Sequence, residues 1–121
     1  NALKDSPFVR EAIVVGEGRK FLGGLIQIDF DSVGRWAAER DLQYTTFKSL
    51  TQMDEVRALI QQVIDEVNAK FARVENIRKF VLLEKELDHD DGELTATQKV
   101  RRGLINKKFA RELEHIYGSA P

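Results

Sequence analysis

The spacing of apolar residues changes period several times along the chain, and each change predicts an element. After Pro7, Ala12-Ile13-Val14-Val15 is a short β-branched run and residues 21–28 form a second, separated by Gly16-Glu17-Gly18-Arg19-Lys20. Two such runs bounded by glycines predict a β-hairpin. The turn glycines supply positive φ at little steric cost, and Gly23 and Gly24 inside the second strand predict a bulge or the close approach of another backbone. Asp31 and Ser32 are the expected caps of a short helix running to about residue 40, with Val33, Trp36 and Ala37 on one face and Trp36 in the core. Residues 41–49 carry Tyr44 and Phe47 among threonines and predict a loop with a helical turn. From Thr51 onward, Val56, Leu59, Ile60, Val63, Ile64, Val67 and Phe71 follow i, i+3, i+4, i+7, i+8, i+11, i+15, the clearest amphipathic helix in the chain. Phe80-Val81-Leu82-Leu83 is too short and too continuous for a surface helix and predicts a buried strand that joins the hairpin's sheet. After the polar loop 88–92, Leu104, Ile105, Phe109, Leu113, Ile116 and Tyr117 mark a final helix ended near Gly118. The sum is an α+β two-layer domain in which helices cover a small sheet of about three strands, the N-terminal hairpin plus one later strand.

Composition narrows this picture without naming a chemistry. At 121 residues the chain is expected to form one domain, 1–121, since domains take roughly 100 to 200 residues. With 42% hydrophobic and 32% charged residues it is too apolar for an intrinsically disordered segment. A chain of this size buries about two-thirds of its unfolded surface. Nineteen basic against twenty acidic side chains leave a net charge of -1, so no global field attracts nucleic acid or an anionic membrane. Zero cysteines exclude disulfides, thiolate metal sites and cysteine nucleophiles, and leave a cytoplasmic setting as the default expectation. No apolar run approaches the ~18 residues of a membrane span, and the first residues lack the pattern of a signal peptide. The chain opens with Asn1 in what reads as the last turn of a helix stopped by Ser6-Pro7, the start expected of a C-terminal piece of a longer protein.

Individual constellations exclude more than they assign. The acidic loop 88–93 fails as an EF-hand: Leu87 stands where the first acidic ligand must precede Gly92 by five residues, and Gln98 stands in place of the closing glutamate. A solvated turn is the expected reading, with no metal site in the chain. His89 and His115 form no ligand pair at helical spacing. Gly16-Glu17-Gly18 lacks the third glycine of a dinucleotide fingerprint and joins two strands instead of opening a helix. No phosphate-binding Gly-Lys-Ser/Thr loop and no Ser, His and carboxylate set is present. The basic cluster Lys99, Arg101, Arg102, Lys107, Lys108 and Arg111, diluted by Glu112 and Glu114, reads first as a solvated helix face. Anion binding and a catalytic lysine are its alternatives.

One segment goes further. Asp91-Gly92-Glu93-Leu94-Thr95-Ala96-Thr97-Gln98-Lys99-Val100-Arg101-Arg102 resembles the closing motif of AMP-forming long-chain fatty acyl-CoA synthetases, members of the adenylate-forming superfamily. That motif reads Gly-Glu-Leu-Thr-Pro-Thr, then Lys two residues later, then Val-Arg-Arg. The start of the chain, Ala2-Leu3-Lys4-Asp5-Ser6-Pro7-Phe8-Val9 with Ala12-Ile13-Val14-Val15-Gly16, is similar to the stretch just after the family's hinge, and the similarity continues to about Tyr117. The departures are Ala96 where proline is common and Gly103 where a bulky residue is usual.

The resemblance implies that residues 1–121 are the small mobile C-terminal domain of a fatty acid-CoA ligase, without the large N-terminal domain that binds ATP and the fatty acid. Such an enzyme makes an acyl-adenylate and pyrophosphate, then transfers the acyl group to coenzyme A, and its small domain swings between the two steps. It implies that Lys99 is the lysine that enters the active site for adenylate formation and contacts the carboxylate and α-phosphate region. Gly92, Thr95 and Thr97 would shape its loop. Arg101 and Arg102 would serve ion pairing, interdomain or phosphate contact, and Gly23 and Gly24 would lie in a hairpin facing the large domain or the coenzyme A path. ATP and Mg2+ would be bound mainly by the large domain, with coenzyme A as co-substrate. The implied partners are the chain's own N-terminal domain, fatty acid, ATP and coenzyme A, with no nucleic acid, and the intact enzyme is expected in the cytoplasm or peripheral to a membrane. The isolated chain is expected to be inactive. Two other readings stay open: a ligase loading fatty acid onto acyl carrier protein, and a non-catalytic interaction module that uses the basic last helix.

Overall fold

The computed structural model describes residues 2–16, 18–97 and 99–118. Asn1, Glu17 of the expected hairpin turn and Gln98 of the motif lie outside them. The chain divides into two compact units, Asn1–Lys85 and Glu86–Pro121, taken in turn below.

In the first unit the two β-branched runs form β1 (Val9–Val15) and β2 (Leu22–Ile28), paired antiparallel from Val9↔Ile28 to Val15↔Gly23. Gly16 and Gly18 have φ of 125° and 78°, in the region that side chains rarely adopt, and the Arg19 amide donates to the Gly16 carbonyl at 2.8 Å to close the turn. The expected later strand is β3 (Ile77–Leu82). It runs parallel to β2, so the sheet is mixed, with β2 in the centre. Its register slips between Leu22 and Gly23, the irregularity that the glycine pair predicts. A Cβ on Gly24 would lie 3.5 Å from Ile77 Cγ2 and 3.3 Å from Ile26 Cδ1, so the missing side chain admits the neighbouring strand.

Three helices supply the second layer. In α1 (Phe30–Glu39) the cap is Asp29, not the expected Asp31 or Ser32: Asp29 Oδ1 accepts from the Ser32 amide at 3.0 Å. The loop at 41–49 contains the start of α2 (Phe47–Thr51), opened by a reciprocal cap in which Thr46 Oγ1 accepts from the Ser49 amide and Ser49 Oγ accepts from the Thr46 amide. The long amphipathic helix is α3 (Asp54–Asn68). Its buried stripe of Val56, Ile60, Val63 and Ile64 packs with Val33 and Ala37 of α1 and with Ala12, Ile26, Ile28, Phe80 and Leu82 of the sheet. Trp36 is half-buried against this core, with the Arg40 guanidinium 4.4 Å from its ring centre.

The stripe's last expected member, Phe71, falls outside the helix and is 48% exposed. The reason lies in Asn68, where α3 stops. Its side-chain amide donates to the Ile77 carbonyl at 2.9 Å and accepts from the Ile77 amide at 3.0 Å, so the helix end is committed to starting β3. The 3.6-residue phase does not continue beyond that point.

The second unit contains α4 (Arg102–Lys108) and α5 (Ala110–Tyr117), where one continuous helix was expected. The break is a bend at Phe109 (φ -109°, ψ 31°), across which the ladder persists: the Phe109 amide donates to the Ile105 carbonyl and the Leu113 amide to the Phe109 carbonyl. Leu87, Ile105, Phe109 and Ile116 are buried. The helix ends at Gly118 with φ 79°, as its sequence position predicts.

Candidate functional site

The segment 88–101 folds as a turn followed by a small hairpin. Asp88 Oδ1 accepts from the Asp90 amide at 2.8 Å, and the His89 carbonyl accepts from the Gly92 amide at 3.0 Å. Gly92 has φ 79°, and a Cβ there would approach Leu104 Cδ2 to 3.2 Å, so both backbone and space call for glycine. The chain then doubles back. Leu94 pairs antiparallel with Val100, the Arg101 amide donates to the Glu93 carbonyl at 2.9 Å, and the Thr95 amide donates to the Lys99 carbonyl at 2.7 Å.

Thr95 explains how the tip closes. In a hydrogen-bonded antiparallel pair the Lys99 amide would return the bond to the Thr95 carbonyl. Here Thr95 Oγ1 takes that place, accepting from the Lys99 amide at 3.1 Å, and it shares a further hydrogen bond with Thr97 Oγ1 at 3.0 Å. One residue therefore holds Lys99 by both its N–H and its C=O. The Lys99 side chain is exposed, and its ammonium has no hydrogen-bond or ion-pair partner among the described residues. A fixed backbone carrying an uncommitted cation is suited to meeting an anion such as a phosphoryl group or a carboxylate.

Gly92, Thr95, Thr97, Lys99 and Arg101 thus share one loop, with Arg101 exposed at its end and Arg102 exposed at the first position of α4. Gly23 and Gly24 lie buried in β2 of the first unit, paired on one side with Val15 and Val14 and on the other with Lys79 and Phe80. Two residues that spacing did not single out complete the loop. Glu93 is wholly buried, at 0% exposure, and its Oε1 accepts from the Asp88 amide at 2.9 Å while Oε2 accepts from Lys108 Nζ at 3.2 Å. Lys108 also donates to the Asp91 carbonyl at 3.1 Å. Lys108 stays at the surface, its side chain 37% exposed, but unlike its sequence neighbours it turns its ammonium onto a buried carboxylate. The only sequence signal for Glu93 was its place in the motif.

Among the described residues no group of three or more His, Asp or Glu side chains converges as a metal site. The acidic turn at 88–91 spends Asp88 on the turn itself.

Comparison with known proteins agrees with this architecture. The family model for the AMP-binding enzyme C-terminal domain matches residues 1–121, and the chain belongs to that family. It is 33% identical over 116 residues to the long-chain-fatty-acid–CoA ligase FadD15 of Mycobacterium tuberculosis, covering 95% of this chain and 19% of that protein. It is 26% identical over 131 residues to the human long-chain-fatty-acid–CoA ligase ACSBG2, covering 94% of this chain and 20% of that protein. The chain spans about a fifth of the length of these curated relatives. Among solved structures, the adenylation domain of a carboxylate reductase from Mycobacterium chelonae shares the fold, with a TM-score of 0.71 at 23% identity over 98% of this chain and 17% of that one.

Proposed function

We propose that this chain is the mobile C-terminal domain of a fatty acid–CoA ligase and that Lys99 serves its acyl-adenylate-forming step. The observation that carries the reading is the Lys99 geometry: main chain pinned at both ends by Thr95, ammonium exposed, in a chain of the AMP-binding enzyme C-terminal family. In the proposed reaction the fatty acid carboxylate attacks the α-phosphorus of ATP, forming an acyl–phosphate bond as the bond to pyrophosphate breaks. Negative charge builds on the phosphoryl oxygens. An ammonium held at a fixed position in a closed, water-poor site stabilises that charge more than it stabilises the bound reactants. Reorientation of the domain then withdraws Lys99 for the second step, in which the coenzyme A thiol displaces AMP from the acyl carbon. Coenzyme A is proposed as the acceptor on the strength of the relatives' named activity, and Mg2+ is assigned to the remainder of the enzyme.

The test is Lys99→Ala in the full-length enzyme, with the two half-reactions assayed separately. Adenylate formation is expected to fall by about 10²- to 10³-fold, by analogy with the loss of a single oxyanion-hole donor. Thioester formation from supplied acyl-adenylate is expected to persist. Survival of adenylate formation would refute the reading, and transfer to acyl carrier protein in preference to coenzyme A would change the acceptor while leaving Lys99 in place. The isolated 121 residues are expected to release no pyrophosphate with ATP and fatty acid.

A further inference from the structure

We infer that Glu93 and Lys108 form a positioning pair that sets the geometry of Lys99, an assignment that rests on the Lys99 reading above. A carboxylate wholly removed from water is expensive, and Glu93 is held so with its pairing cation, Lys108, at the surface with its side chain 37% exposed. A charge retained at such a place calls for a role in geometry. Glu93 has that geometry. Its amide donates to the Asp88 carbonyl at 3.1 Å, its carbonyl accepts from the Arg101 amide at 2.9 Å, and its two carboxylate oxygens take the Asp88 amide and Lys108 Nζ. It therefore ties the entry turn, the returning strand of the hairpin and α4 together at the hairpin's base.

Lys108 completes the tie from α4 by reaching both Glu93 and the Asp91 carbonyl on either side of Gly92. The turn enters the hairpin at Gly92 and leaves it through Arg101 into α4, so the pair holds both ends of the segment that carries Lys99. Thr95 fixes Lys99 within the hairpin, and the pair fixes the hairpin on the helix. Neither Glu93 nor Lys108 is assigned contact with reacting atoms. Both act through the placement of Lys99.

The experiment uses the full-length enzyme with Glu93→Gln, Lys108→Met, the double variant, Lys107→Met as a charge control from the exposed neighbouring position, and Lys99→Ala as reference. Glu93→Gln keeps the shape and an acceptor for the Asp88 amide while removing the charge. Adenylate formation is expected to fall by about 10- to 100-fold in both single variants, the penalty of displacing a catalytic group by about an ångström. Thioester formation from supplied acyl-adenylate and the KM for ATP are expected to stay unchanged, and Lys107→Met to behave as wild type. The two variants change net charge in opposite directions, so losses of the same sign exclude a long-range field effect. The double variant is expected to be no worse than either single one, because the two residues share the interaction. Independently of turnover, hydrogen exchange at the Thr95 and Arg101 amides is expected to quicken in Glu93→Gln.

Wild-type adenylate formation in Glu93→Gln and Lys108→Met, alongside its loss in Lys99→Ala, overturns the pair alone. Equal loss of both half-reactions also overturns it, since that marks a purely structural role. Retained adenylate formation in Lys99→Ala overturns the pair together with the reading on which it rests.

Discussion

Replacing Thr95 by valine isolates the contribution of one hydroxyl to the lysine loop. Valine keeps the shape and β-branching, so the loss is confined to two hydrogen bonds: acceptance from the Lys99 amide at 3.1 Å and the shared bond with Thr97 Oγ1 at 3.0 Å. An intramolecular hydrogen bond contributes about 0.5–1.5 kcal/mol net. Lys99 and Thr97 are exposed and water can replace the missing partner, so the total should sit near the bottom of the summed range, about 1 kcal/mol. That corresponds to a roughly fivefold change in the opening equilibrium at the tip. Hydrogen exchange should show it directly. The Lys99 amide is expected to exchange about fivefold faster in Thr95→Val, while the Arg101 amide, bonded to the Glu93 carbonyl at the hairpin's base, keeps its protection. Thr95→Ser retains the hydroxyl and should behave as wild type. In the full-length enzyme, adenylate formation should fall less in Thr95→Val than in Lys99→Ala. A Lys99 amide that exchanges at the same rate in Thr95→Val and wild type would refute the argument that this side chain stands in for the missing backbone bond.

Other substitutions probe the rest of the chain. Gly92→Ala forces a side chain into φ 79° and against Leu104, and is expected to destabilise the second unit by about 1–2 kcal/mol, measured as an earlier denaturant midpoint for that unit. Gly103→Ala should do the opposite: it lies in α4, a Cβ there meets nothing within 4 Å, and the helix should gain about 0.5–1 kcal/mol, read from the same titration. Asn68→Ala removes both bonds to Ile77 and leaves buried backbone groups short of partners. It is expected to lower the stability of the first unit by about 2–3 kcal/mol and to deprotect the Ile77 amide.

Much of the fold was legible because its signals are local. The hairpin follows from two β-branched runs and from glycines whose φ the turn requires, and α3 follows from apolar residues spaced to one face. The direction of β3 was not legible, since a four-residue apolar run carries no information on whether its neighbour runs parallel or antiparallel. The end of α3 was misread for a related reason: Phe71 extends the helical period, but the Asn68 side chain finds the backbone of Ile77 nine residues later and stops the helix there. At Asp29 the error was one of register, since Asp29 and Asp31 are both good caps and only the backbone shows which one faces the free amide of Ser32.

The candidate site divides along the same line. Residue pattern alone left Lys99 in a basic cluster, and it was the resemblance to a family motif that marked Lys99, Gly92 and Thr95. Neither separated Lys108 from Lys107, adjacent residues of the same charge. That difference came from the tertiary structure, which takes Glu93 out of water and brings Lys108, fifteen residues away, against its carboxylate. Spacing along a chain determines local backbone geometry and which face of an element is apolar. Only folding decides which polar groups lose their water, and hence which charges must find each other.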